Sequence, residues 1–498
     1  MNLRRAAGGL GLAAALAVSL SVTAPVAFAN PAELPAGAAL RDDFNGDGYA
    51  DVAFAAPDAT VGGKAKAGYV AVMYGSAQGL RTSSKQVFDQ DSPGMPGVAE
   101  EGDAYGSSVT TADLDRDGYA DLVVGSAGED VGTAGSNAGS LAVIWGGAQG
   151  LAGSATLLNG AEAYDAAGGH TVAGDFNGDR VPDLATVADS KDLRVLTGPF
   201  ERNGAPVGGV RDVTDDFDSR ILDLAAGDVN GDGMTDIAAV ANDGDEYDDR
   251  RITYWQGTGE GPAPYVTVRK PDGGRLEGGE NLDIGDVNAD GYADIVAGRP
   301  IDGYDSDLDL PLAEGGMVTY LPGSAKGPDV SLAGVLNQDS PGVPGVAEGS
   351  DGYGNSDNFG TGVSVGDIDG DGYADVAVGV PGETFDGRTH AGSVVTLRGS
   401  ARGLTGTGAA VLSQDTDGVP GAAEAEDRFG SATKLVDADG NGTADLVVGA
   451  TGENENAGSV WVLRSTASGV TPAGSFTFGA GTLGTVAANA KLGSGFDF

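Results

Sequence analysis

Apolar positions along this chain come in short bursts closed off by turn residues. Leu122-Val123-Val124, Val376-Ala377-Val378 and Leu446-Val447-Val448 are typical, each preceded by an aspartate and followed by a glycine. A second kind of run is led by glycine: Gly68-Tyr69-Val70-Ala71-Val72-Met73-Tyr74-Gly75, Gly139 through Gly146, Gly392 through Leu397 and Gly458 through Leu463. Short runs rich in β-branched residues and bounded by Gly, Pro, Asp and Ser predict strands. Outside residues 6–22 no segment sustains a helical period, so the chain reads as all-β.

The bursts recur with a polar signature. The pattern Asp-x-Asp/Asn-x-Asp/Asn-x-x-x-Asp occurs seven times, starting at residues 43, 113, 175, 228, 286, 367 and 437. Its ligand-type positions are Asp43, Asn45, Asp47, Asp51; Asp113, Asp115, Asp117, Asp121; Asp175, Asn177, Asp179, Asp183; and Asp228, Asn230, Asp232, Asp236. They continue with Asp286, Asn288, Asp290, Asp294; Asp367, Asp369, Asp371, Asp375; and Asp437, Asp439, Asn441, Asp445. Repetition at near-regular spacing calls for one supersecondary unit per repeat. Four short strands per repeat, seven times over, predict a β-propeller. Residues 30–498 divide into blades of about 67 residues, a sensible size for that unit.

Alternating carboxylates converge only if the backbone curls tightly, and glycine at position 6 (Gly48, Gly118, Gly233, Gly291, Gly372, Gly442) supplies the left-handed residue the curl needs. Carboxylates crowded around one small space repel one another. A calcium ion accepting 6–8 oxygens removes that repulsion. An EF-hand begins alike but needs Glu at position 12 and flanking helices. Here position 12 is Phe54, Val124, Val378 or Val448, inside strand-type runs. Metal-free Asp-Gly turns are the blander alternative. The third copy departs most, with Arg180 at position 6 and Pro182 at position 8, and the seventh has Asn441 for a carboxylate.

Tyr105-Gly106, Phe359-Gly360 and Phe429-Gly430 stand before the loops, and Gly298-Arg299-Pro300 and Gly379-Val380-Pro381 after them. In this order the elements resemble the FG-GAP repeats of the integrin α-subunit head. The resemblance covers nearly all of residues 30–498 and implies a seven-bladed propeller with calcium-binding hairpin loops on one face. It extends the ligand roles to the positions named above, for several calcium ions and up to seven. Repeats three and four lack a clear Gly-x-Pro, having Thr186-Val187-Ala188 and Ala239-Val240-Ala241. Leu492-Gly493-Ser494-Gly495-Phe496 looks like Phe429-Gly430-Ser431 without a loop behind it, so the last strand is expected to complete the first blade.

Composition narrows the chemistry. With no cysteine there is no disulfide scaffold, zinc knuckle or thiol nucleophile. A net charge of −45 argues against nucleic acid as a partner. Arg4 and Arg5, the apolar residues 6–22 and Ala27-Phe28-Ala29 have the order of a cleavable signal peptide over 1–29. The expected mature protein, residues 30–498, is a secreted, extracellular monomer with no membrane span. His170 and His390 belong to no catalytic motif, and no nucleophile elbow is present. Three longer segments, from Gln90, Gln338 and Gln414 to Gly106, Gly360 and Gly430, are candidate binding loops. Glu100, Glu348 and Glu424 within them could equally tie blades together. The expected function is a calcium-binding adhesion module for a protein, matrix or glycan ligand. The alternative is a carbohydrate-active protein on the same propeller, either a lectin or a polysaccharide hydrolase or lyase.

Overall fold

A strand that is apolar on both sides must be covered on both faces. Val52–Ala56, Asp121–Ser126, Asp183–Ala188, Asp294–Arg299, Asp375–Val380 and Asp445–Ala450 are buried at every residue. The computed structural model describes residues 42–497 except 214–218, 243–249, 272, 275, 303, 306–309, 312–313 and 350–355. The export segment proposed for residues 1–29 lies outside the described residues. No helix among the described residues is long and apolar enough to cross a membrane.

The described residues form seven four-stranded antiparallel sheets and a two-stranded ribbon, Tyr304–Asp305 with Leu310–Pro311. Blade 2 is representative: Tyr105–Ala112, Asp121–Ser126, Ser140–Ile144 and Ser154–Asn159 pair in chain order. Blades 3 to 7 open with Thr171–Gly174, Arg220–Gly227, Asn281–Gly285, Val363–Gly366 and Phe429–Val436. Blade 1 differs in origin. Its first strand is Gly495–Phe496, which pairs antiparallel with Val52–Ala56 through Phe54↔Phe496 and Ala55↔Gly495. The seven first strands touch one another in sequence and the last meets the first, closing a ring. The fold is a seven-bladed β-propeller, and its first sheet joins the two ends of the described chain.

The core is divided among the blade interfaces. Phe44, Val70, Val72, Tyr105, Leu122, Val124 and Ile144 pack blade 1 on blade 2. Val172, Val187, Val195, Ile221, Ile237 and Trp255 pack blade 3 on blade 4. Val52, Phe54, Val447, Val460, Phe478 and Phe496 close blade 7 on blade 1.

This packing explains the Phe-Gly and Gly-x-Pro elements. A Cβ on Gly125, Gly379 or Gly449 would stand only 1.8–2.0 Å from the carbonyl oxygen of Gly168, Gly430 or Gly493 in the next blade. The amides of Tyr105, Ala167, Phe359, Phe429 and Leu492 donate back to Ala67, Ala138, Gly315, Ala391 and Ala457 at 2.7–3.1 Å. The repeated motif is thus the seam between blades, and it needs glycine on both sides.

Candidate metal centres

Six of the seven aspartate loops join the first and second strands of their blades, and the first leads into Val52–Ala56, the second strand of blade 1. Position 6 donates its amide to the second carboxylate oxygen of position 1 in every copy, at 2.8–3.0 Å. The amide of position 7 donates to the side chain of position 5 in all seven. Local side-chain bonds of this kind hold the chain in a curl without regular structure. The third loop folds like the rest although Arg180 replaces glycine. Arg180 takes φ +66°, and the space around the six glycines explains the tolerance, since a Cβ on any of them would meet nothing within 4 Å. Only the backbone angle favours glycine here, not room.

Successive loops are also linked to one another. The amides of Ala120, Thr235, Ala293, Ala374 and Ala444, all at position 8, donate to the position-1 carbonyls of Asp43, Asp175, Asp228, Asp286 and Asp367 in the preceding blade. Pro182 holds that place in the third loop and has no amide to give. Phe200 donates instead, to Leu114.

Position 9 is buried in every copy. Asp51 accepts the amides of Phe44 (2.9 Å) and Gly75 (2.8 Å), and Asp121 those of Leu114 (2.9 Å) and Gly146 (2.8 Å). These carboxylates fasten each loop to the end of the third strand while lying at the loop's base. Burial pushes the Asp51 carboxyl up to about 8, and Asp121 and Asp445 to about 7, against the pull of those amides. Asp183, Asp236, Asp294 and Asp375 rise to about 6 for the same reason. A carboxylate that resists ionisation in isolation is one that a cation would relieve.

Two loops bring three carboxylate oxygens within 4.8 Å of one another: Asp113, Asp115 and Asp117, and Asp367, Asp369 and Asp375. Among the described residues the other five do not gather three carboxylates so closely. Asn45, Asn177, Asn230 and Asn288 put an amide at position 3 in four of them, and Asn441 does so at position 5 in the last. Asp115 Oδ1 and Asp369 Oδ1 are buried without a hydrogen-bond partner. An all-oxygen donor set with orphaned buried acceptors fits a hard divalent ion.

Basic and phenolic partners were not legible from the aspartate pattern. Arg202, lying over the Trp145 ring, pairs with both Asp115 and Asp117. Arg398 lies 2.8 Å from Asp369 and 2.7 Å from Asp375, and Arg464 lies 3.6 Å from Asp439. Tyr254 and Tyr320 donate to Asp236 (2.7 Å) and Asp294 (3.0 Å). Arg398, Arg464, Tyr254 and Tyr320 all sit near the ends of third strands, the positions that face the loop base.

The histidines lie elsewhere. His170 stands 3.6 Å from Asp223 in an axial cavity of about 260 Å³, and His390 stands 3.0 Å from Glu426. Neither imidazole is hydrogen-bonded to a hydroxyl among the described residues.

The FG-GAP repeat profile matches residues 35–73, 105–144, 359–397 and 429–463, and the FG-GAP-like repeat profile matches 228–297. These spans include six of the seven aspartate loops. Relatives include integrin alpha-IIb of Homo sapiens, 35% identical over 179 residues, covering 36% of this chain and 15% of the relative. Integrin alpha-8 of Mus musculus is 30% identical over 242 residues, covering 47% and 20%. Integrin alpha pat-2 of Caenorhabditis elegans is 30% identical over 245 residues, covering 47% and 18%. The chain thus spans a fifth or less of the length of each of these relatives. Repeat profile, relatives and a closed ring of seven sheets together support an FG-GAP, integrin-α-like propeller family.

Proposed function

We propose that this chain is an exported, calcium-loaded propeller that binds an extracellular protein or matrix component, as an adhesion module. The observation that carries the reading is the repeated, internally hydrogen-bonded carboxylate loop within an integrin-α-like ring. Positions 1, 3, 5 and 9 of each loop would hold the ion, with orphaned Asp115 Oδ1 and Asp369 Oδ1 as the readiest donors. Bound calcium would supply the positive charge that the crowded carboxylates lack. The chain's own contribution is to hold the loops in register through the position-8 amides.

The ligand surface is assigned to the other end of the sheets. In an antiparallel blade the fourth-to-first connections emerge opposite the first hairpin. Two such connections carry Val98 and Val346, exposed by 64% and 68%, in matching Pro-Gly-Val-Ala-Glu sequences. Exposed apolar residues on a scaffolded loop are natural contact points. The test is binding of the whole protein to arrays of matrix proteins and glycans, with calcium and with chelator. Calcium-dependent protein binding that Val98→Asp and Val346→Asp weaken supports the proposal. Glycan binding alone would make it a lectin, and cleavage of polyuronates an enzyme.

A further inference from the structure

A second polar constellation recurs three times, away from the aspartate hairpins. Glu129, Glu383 and Glu453 follow the second strands of blades 2, 6 and 7, each after a glycine. A Cβ on Gly128, Gly382 or Gly452 would stand 1.9, 1.9 or 1.7 Å from the carbonyl oxygen of Gly102, Ser356 or Glu426. The same glycines donate their amides to Asp103, Asp357 and Asp427 at 3.0, 2.9 and 3.1 Å. The chain is thereby pressed against these aspartates, which are 1%, 1% and 3% exposed.

From the preceding blade comes a glutamine. Gln90 donates its amide nitrogen to Glu129, Gln338 to Glu383 at 2.6 Å and Gln414 to Glu453 at 2.7 Å. These glutamines are 4%, 3% and 2% exposed, and in all three Oε1 is buried with no hydrogen-bond partner. One oxygen of each aspartate accepts the amide of Glu100, Glu348 or Glu424 at 2.5–2.7 Å. Among the described residues no Lys or Arg is ion-paired with any of the six carboxylates. At the first junction Gln90 and Glu129 line a cavity of about 240 Å³ with Asp130 and the hydroxyl residues Ser126, Ser140 and Thr156.

A buried acceptor left without a partner is destabilising, and one is found at the same place three times. Water would satisfy the amide oxygen but leave a buried aspartate and a half-buried glutamate with no positive charge paired to them among the described residues. A ligand that answers both must be a cation taking hard oxygen donors. We propose that the junctions of blades 1 and 2, 5 and 6, and 6 and 7 are three further calcium sites. Their protein ligands are Gln90, Asp103 and Glu129; Gln338, Asp357 and Glu383; and Gln414, Asp427 and Glu453.

Equilibrium dialysis of the whole protein at millimolar free calcium, with bound ions counted by elemental analysis, tests this. Glu129→Gln, Glu383→Gln and Glu453→Gln keep an oxygen to accept the glutamine bond but remove the charge. The triple variant is expected to lose three bound ions per chain, and each single variant one, should the triple fail to fold. Hairpin variants such as Asp117→Asn should keep the junction ions, so failure of the two sets of sites can be told apart. Equal ion counts in the parent and the folded junction variants would overturn the proposal and leave the clusters as structural ties.

Discussion

The ring of Phe496 meets that of Phe54 edge-on, with 5.9 Å between centroids and 84° between planes. Beside them Asp497 accepts the amide of Ala53 at 3.1 Å, a bond between residues 444 apart in sequence. Lys434 of blade 7 donates to the Asp497 carbonyl at 2.8 Å, so three blade elements meet at one corner. Removing residues 490–498 is expected to lower the melting temperature sharply. Phe496→Ala alone should cost about 3–5 kcal/mol in denaturant unfolding. A deletion variant as stable as the parent would rule out closure as a source of stability.

Calcium should stabilise the fold. At a free concentration tenfold above Kd each filled loop adds about 1.4 kcal/mol. Chelator is expected to depress the calorimetric melting temperature, and calcium, more than magnesium, to restore it. Indifference to chelator would mean the loops are empty turns.

The position-9 aspartates give that response a pH dependence. Their carboxyls are raised from 3.8 to between about 6 and 8 by burial. A group that holds its proton more tightly when folded favours folding at low pH, and that contribution is lost as pH rises through the folded pKa. In chelator, melting at about pH 8 should therefore fall below that at about pH 5.5. Calcium takes the place of the protons, so its stabilising effect should be larger at the higher pH. A chelator-treated protein that gains stability across this window contradicts the assignment.

Arg398 places a positive charge among the loop-six carboxylates. Charge-assisted bonds of this kind contribute about 1.5–3 kcal/mol, so Arg398→Gln should tighten calcium binding at that loop roughly tenfold or more. Titration calorimetry on the variant, compared with the parent, would detect it. Unchanged affinity would mean the guanidinium swings aside freely.

At the third loop Arg180→Gly should stabilise the protein by about 1 kcal/mol by removing a left-handed side-chain residue. Gly125→Ala should do the reverse, costing on the order of 3 kcal/mol, because no room exists beside the Gly168 carbonyl. Equilibrium unfolding of the pair tests whether angle or space governs each glycine.

The blade count could be read from spacing, and the joining of Phe496 to the first sheet from the likeness of its segment to Phe429-Gly430-Ser431, because both are marks of repetition. Position 6 of the loops was equally legible, since a backbone angle leaves its mark as glycine. The counter-charges were not. Arg202 and Arg398 lie 85 and 23 residues from Asp117 and Asp375, and only the packing of one blade on the next, or of neighbouring strands within a blade, brings them together. Glu129 was missed for a related reason. Its role depends on Gln90 in another blade and on Gly128 pressing against the entering chain. The longer segments drew attention to Glu100, whose backbone rather than its carboxylate proved to make the tie to Asp103.

The glycine-to-carbonyl seams have an unforgiving corollary. Each blade leans on two neighbours, and the last leans on the first, so parting any one contact turns a hoop into an arc with raw margins on both flanks. Sevenfold copying of the unit therefore grants no spare parts: a single bulky residue at one joint threatens the whole circumference as surely as it would at any other.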